Sequence, residues 1–501
     1  MTIDLSAAAL DALPAEVAGP LYDRGALSAG IVHIGVGNFH RAHQAVYLDR
    51  LFDLGHGHDW AIVGAGVRPA DEAMRADLEA QDWLTTVVEL NPDGLNARVC
   101  GAMIGHVAVD PAALVERMSR PDIRIVTLTV TEGGYYLDAT GHGFRHDHPD
   151  ILEDAANPAA PKTVFGCILA SLVRRREAGE APFTVVSCDN IPENGQVTRN
   201  AVVGLARAGS PALADWVEAN VAFPNGMVDC ITPATSDRER ALVADRFGIA
   251  DRRPVVCEPF RQWVLEDRFT AGRPALERVG VEFVDDVAPY ELMKLRVLNG
   301  GHAAIAYAAG LLGIHFVHEA MAHPLVDGFL RKLAIDEIIP TLTPIAGVDF
   351  QAYLASVAQR FANPEVGDTV ARLCLDGSNR QPKFILPVIQ ERLRAGAPIA
   401  GLALETALWC RYCAATDEVG NTIFVDDERA AELAVRAEAA RADPHRFLEL
   451  RDVFGSLGDN ETYRGAFAAA LTFVWEHGAE AALRRYLDLA EAGDAPGAAR
   501  G

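Results

Sequence analysis

Short apolar runs alternate with helix-periodic segments through the first 285 residues, and helical spacing then takes over alone. Ile31-Val-His-Ile34 and the stretches 60–67, 123–130 and 183–187 are brief, apolar and closed by glycine or polar clusters. That is the pattern of parallel strands buried on both faces. Residues 42–54 and 236–247 carry apolar positions at helical spacing, and 255–257 and 281–284 read as further strands of the same domain. Beyond about residue 289 the helical segments are 291–309, 316–337, 349–361, 384–395, 402–415, 427–440, 463–477 and 479–489. The pattern predicts an α/β domain over residues 1–285 and a mostly α-helical domain over 286–501. Residues 1–30 read as a packed but irregular extension and residues 491–501 as a fraying end; no internal repeat is visible.

The first strand runs into Gly35-Val-Gly37-Asn-Phe39-His40-Arg41, followed at once by helical periodicity. Strand, Gly-x-Gly turn and helix open a Rossmann-type dinucleotide-binding fold. Gly35 permits the tight turn, and Gly37 lets backbone amides approach a pyrophosphate. His40 stands where the usual fingerprint has its third glycine. The second strand ends at Arg68 instead of an acidic residue, with Asp71 three positions on. Asp71 suits the ribose hydroxyls of NAD and Arg68 a 2′-phosphate, so the residues alone leave NAD against NADP open. Strands three and four run into Thr131-Glu132-Gly-Gly-Tyr135 and Cys188-Asp-Asn190-Ile-Pro-Glu-Asn194. Open α/β sheets place their sites beyond such strand ends, which singles out Glu132 and Asn190.

Lys294-Leu-Arg-Val-Leu-Asn299-Gly-Gly-His302 reads as helix. At 100° per residue its lysine, asparagine and histidine fall within an arc of about 140° and can face one cleft. There a lysine takes a hydroxyl proton while an amide and an imidazole hold the oxygen. Free lysine titrates near ~10.4; burial beside a cationic coenzyme brings that down.

A chain of 501 residues, half of them apolar, is folded and exceeds one core. Its formal charge of -24 argues against a nucleic-acid surface. No apolar run reaches membrane length and no greasy leader opens the chain, so no membrane partner is expected. Eight scattered cysteines read as reduced thiols of a cytoplasmic protein. The lone pair Cys410 and Cys413 sits in a helix, and His40 and His43 lack companion ligands, so no metal is inferred.

Five segments carry a family likeness: Ile34 to His43, Thr129 to Tyr135, Ser187 to Gly195, Lys294 to His302, and Arg372-Leu-Cys-Leu-Asp-Gly-Ser-Asn-Arg380. In these the chain resembles the mannitol dehydrogenase family of polyol-specific long-chain dehydrogenases. The resemblance implies a metal-independent, monomeric enzyme using NAD, with an expanded Rossmann N-terminal domain, a mostly helical C-terminal domain, and its site in the cleft between them. It implies oxidation of mannitol to fructose and the reverse. Lys294 matches the general base, and Asn190 and Asn299 the pair that holds the reacting oxygen. Glu132 matches a carboxylate near the lysine. His302, Asp229, Arg372 and Arg380 match substrate positions. Phe39, His40 and Arg41 lie in the coenzyme segment with Gly35 and Gly37. Related enzymes act on arabinitol, fructuronate or tagaturonate, and a uronate carboxylate would want a cation such as Arg372 or Arg380. A non-catalytic nucleotide-binding sensor is the reading of a different class.

Overall fold

In the computed structural model, residues 2–138 and 143–489 are described; the expectation for 491–501 lies outside them. The chain divides into two compact units, Met1–Ala288 and Pro289–Gly501.

The first unit is built on strands β1 (Ala29–Ile34), β2 (Ala61–Ala65), β3 (Met103–His106), β4 (Ile125–Leu128) and β5 (Thr184–Ser187). They form one sheet in the order β3-β2-β1-β4-β5, and every pairing is parallel. Every residue of β1, β2, β4 and β5 is buried, which is why these strands read as unbroken apolar runs. The connection after β1 passes through helices α1 (Asn38–Ala42) and α2 (Gln44–Asp53). The helix expected over 42–54 therefore begins earlier and breaks at His43, whose φ of -116° and ψ of -88° leave the helical region. Beyond β5 come helix α3 (Asn194–Gly209) and strand β6 (Gly226–Asp229), which pairs antiparallel with Gln262–Glu266. Strand order reverses around β1, the place where doubly wound sheets open a crevice at the carboxyl ends of their strands.

The first thirty residues are less irregular than expected. Ile3–Asp4 pairs with Ile249–Ala250, and Val17–Ala18 pairs with the strand Gly94–Cys100. Two-residue strands are too short to show alternation, so only their distant partners reveal them.

The second unit is helical; among its described residues, β-pairing is limited to isolated bridges. Helix α4 (Ala288–Met293) leads into a π-helical coil, Lys294–Asn299, and then helix α5 (Gly300–Leu311). Helices α6 (Gly377–Phe384), α7 (Ala400–Cys413) and α8 (Glu461–Tyr486) follow, and α7 packs against both α5 and α8. The single helix expected over 316–337 is three pieces. Val317–Ala322 stops at His323, Pro324 opens Pro324–Leu333, and a second π coil covers Ala334–Ile338. Proline lacks the N–H that a continuing helix needs but suits a first helical position. Gly478, with φ 86°, kinks α8 where two helices were expected to meet. All eight cysteines are free thiols and buried. No described helix is long and apolar enough to cross a membrane.

Candidate active site

Four of the expected site segments follow directly from β1, β2, β4 and β5, so the parallel sheet carries all of them to its carboxyl edge. After β1, Gly35 has φ 97°, and a Cβ there would stand 2.1 Å from the Thr129 carbonyl oxygen. Only glycine fits both constraints. A Cβ on Gly37 would meet nothing closer than the Gly35 oxygen at 3.8 Å, so this face of the turn stays open to an incoming group. The Gly37 amide donates back to that oxygen at 2.7 Å. Phe39 is half-buried and stacks on His43 at 4.7 Å. His40 and Arg41 are both buried. Arg41 is 1% exposed and donates to the carbonyls of Gly37 and Arg253 and to Asn38 Oδ1. Such a buried guanidinium braces the turn. After β2, Asp71 accepts from the Arg68 amide and from its guanidinium, each at 3.0 Å. The two residues set against each other in the coenzyme question are thus partners. Arg68 is the exposed member, and the Asp71 side chain lies against Gly66.

The ends of β4 and β5 are tied by Asp189, a residue the sequence reading passed over. Its carboxylate accepts from the amides of Val130 (2.9 Å) and Thr131 (3.0 Å) and from the Tyr135 hydroxyl (2.7 Å), which also meets Ser187 Oγ at 2.6 Å. Burial raises its pKa from the ordinary aspartate value, against the pull of these donors. Thr131 is held at φ 65°, and the exposed Glu132 follows it on a one-turn 3-10 helix, while the exposed Asn190 adjoins Asp189 itself. Asn194, fully buried, donates to the carbonyls of Ser187, Asp189 and Gly226 and accepts from the Gly226 amide. It fixes the loop against β6, whose last residue is the buried Asp229. Asp189 and Asn194 stand in the very motif that drew attention to Asn190; that polar residues close to a strand end must satisfy its amides is the signal that finds them.

In the second unit, Lys294 opens the π coil at 7% exposure, Asn299 closes it half-buried, and His302 lies one turn into α5. This corrects the regular helix assumed for the triplet. In a coil bonded i to i+5, Asn299 falls almost above Lys294, closer than α-helical phasing puts it. The coil widens where Gly300 and Gly301, each costing about 1 kcal/mol against alanine in a helix, follow it. Arg296 within it is anchored to Thr341 and Glu391. The His302 ring stacks on Phe361 at 4.1 Å. Burial, then the charges of Arg372, Arg380 and Arg360, hold its pKa well below the ordinary value, so it is a neutral imidazole. Arg372 is paired with Asp368, and Arg380 donates to the Leu373 carbonyl at 2.7 Å. A cavity of about 740 Å³ elsewhere in this unit, lined by Lys332, Glu337, Arg392, Phe473 and Tyr486 among others, contains none of the expected site residues.

Comparison with known families matches residues 29–278 to the mannitol dehydrogenase Rossmann domain and residues 286–475 to the mannitol dehydrogenase C-terminal domain. The chain belongs to the mannitol dehydrogenase family. Within that family it is 59% identical over 473 residues to mannitol 2-dehydrogenase of Cereibacter sphaeroides, covering 94% of this chain and 99% of that one. Identity to mannitol dehydrogenase 2 of Saccharomyces cerevisiae is 42%, covering 97% of each chain. Two solved structures are similar over nearly the full length. The Pseudomonas fluorescens mannitol 2-dehydrogenase ternary complex with NAD and D-mannitol has a TM-score of 0.82 at 41% identity, covering 97% of this chain and 100% of that one. A D-sorbitol dehydrogenase in substrate-free form has a TM-score of 0.90 at 34% identity, covering 96% and 100%. The resemblance and the fold class read from the five segments are borne out.

Proposed function

We propose that this protein is an NAD-dependent polyol dehydrogenase that oxidises D-mannitol to D-fructose and runs the reverse reduction. The observation that carries this reading is the 59% identity, across nearly both whole chains, to a mannitol 2-dehydrogenase. A relative solved with NAD and D-mannitol supports coenzyme and substrate together. The glycine turn fits such a coenzyme: Gly35 is sterically enforced, Gly37 is open, and the turn lies where the strand order reverses. NAD supplies a hydride acceptor. The remaining steps belong to side chains. Lys294 takes the proton of the secondary hydroxyl, and Asn190 and Asn299 hold its oxygen, worth about 3 kcal/mol each if they act as oxyanion donors do. Neutral His302 can donate to one sugar hydroxyl and accept from another. Glu132 supplies a carboxylate for proton passage, and Asp229, Arg372 and Arg380 bound the substrate.

The uronate reading finds less support. Arg372 already has a carboxylate partner and Arg380 a carbonyl, so a uronate would have to displace these contacts. Catalytic efficiencies for mannitol, sorbitol and arabinitol with NAD⁺, and for fructose and fructuronate with NADH, test the assignment. Mannitol and fructose are expected to lead. Preference for fructuronate over fructose overturns the substrate, and no absorbance rise at 340 nm with any polyol would favour the non-catalytic sensor.

A further inference from the structure

The glycine turn departs from the usual fingerprint in one way that the proposed activity leaves unexplained: His40 stands where a third glycine lets helix and strand pack closely. The space is filled by a second histidine. His33, the penultimate residue of β1, is fully buried, and its ring stacks on that of His40 at 3.4 Å between centroids and 11° between planes. Isolated charges are excluded from such a place. Burial pushes the His33 pKa down to about 3 and holds that of His40 well below the ordinary value. The stack is therefore two neutral rings.

His33 also touches the turn. Its Nε2 lies 3.1 Å from the Gly35 carbonyl oxygen and 3.0 Å from Thr129 Oγ1, while the Thr129 hydroxyl donates to the same carbonyl at 2.6 Å. On the other side its Nδ1 lies 2.7 Å from Thr127 Oγ1, whose hydroxyl faces Gln44 Oε1 at 3.1 Å. A carbonyl oxygen only accepts, so the contact to Gly35 needs the proton on Nε2; Nδ1 then competes with Gln44 Oε1 for the single Thr127 hydroxyl proton. The Gly35 carbonyl is the one that also receives the Gly37 amide, so its direction sets the plane of the turn's open face.

We infer that His33, stacked on His40, is a positioning residue that fixes the glycine turn for the coenzyme, taking over from the third glycine. The inference rests on the reading of that turn as the coenzyme site. It assigns the contact that matters to Nε2, and this separates it from a merely structural role. In His33→Gln the amide nitrogen reaches the Nε2 position, whereas in His33→Asn it reaches only the Nδ1 position. Thr129→Val removes the hydroxyl between ring and carbonyl without altering the core.

The test is NADH affinity by fluorescence titration, with kcat and coenzyme KM for mannitol oxidation, on the full-length variants. His33→Leu, His33→Asn and Thr129→Val should each weaken NADH binding at least tenfold while kcat at saturating coenzyme stays within about threefold. His33→Gln should stay within threefold of wild type in both. Equal affinity of His33→Leu or Thr129→Val and wild type overturns the role, as does a His33→Gln variant no better than His33→Asn. Should the His33 variants fail to fold, the Thr129→Val result decides alone. A wild-type protein that takes no NADH overturns the coenzyme reading itself, and the inference with it.

Discussion

Glu405 gives the second unit a pH dependence whose size follows from its surroundings. It lies inside α7 at 1% exposure, and its Oε1 accepts from Gln381 Nε2 on α6 at 2.7 Å. Burial pushes its pKa from 4.5 up to about 8, against the pull of Gln381 and Thr406, and no charged group counters the burial. The folded chain thus keeps a proton that the unfolded chain releases. Stability is full below the unfolded value near 4.5 and falls as pH rises toward 8, levelling once the folded carboxyl ionises too. At 1.36 kcal/mol per unit, the loss between pH 5 and pH 8 is on the order of 3 to 4 kcal/mol. Glu405→Gln retains an acceptor for Gln381 and removes the titration. Thermal melts of both proteins at pH 5, 6.5 and 8 should show the variant gaining on the wild type as pH rises. For a unit of roughly 200 residues that gain is on the order of 10 °C. Melting curves that shift in parallel across this range would refute the argument. The effect bears on activity because α6 also carries Arg380, and polyol oxidation, which releases a proton, is favoured at alkaline pH, where this acid ionises.

Lys294→Ala should lose more than nine-tenths of turnover and recover part of it with added primary amines; retention of over a tenth without amine removes the base from Lys294. Asp189→Asn keeps one acceptor oxygen and turns an amide donor against either the Val130 or the Thr131 N–H, forfeiting charge-assisted bonds of about 1.5–3 kcal/mol each. A turnover loss above tenfold with retained circular dichroism is expected, and wild-type kinetics would show that the tie between the two loops does not matter. Arg68→Ala should leave NAD⁺ efficiency within about twofold and depress any NADP⁺ use, because Arg68 is the exposed partner of Asp71; a higher efficiency with NADP⁺ than with NAD⁺ in the wild type contradicts the coenzyme preference.

The core strands were legible because a parallel sheet buried on both faces writes itself as short apolar runs, and the residues just past them were legible for the same reason. Strand order was not: nothing local says that β1 lies between β2 and β4. Asp189 was overlooked because its partners, Val130 and Thr131, are distant in sequence, and an aspartate after a strand looks like any other solvated acid. His33 hid inside an apolar run, and only the packing of α1 on β1 shows that it answers His40. Periodicity saw a helix through Lys294–Asn299 but not its width, since apolar spacing over so few residues fits either coil. The break before Pro324 was available to a reader who weighed proline above periodicity.

The wide coil between Lys294 and Asn299 has a consequence for anyone reshaping this enzyme. Helix surfaces ordinarily forgive substitution, but here the pitch of the coil decides which side chains share a face. Were the same residues wound as an unbroken α-helix, with none added or removed, Asn299 would swing from almost above Lys294 to about 140° around the axis. Transplanting the chemistry to another scaffold would therefore require the pitch as well as the residues. In this stretch the pitch of the backbone is what brings the two side chains together, and a comparison that scores only amino-acid identity would not see it lost.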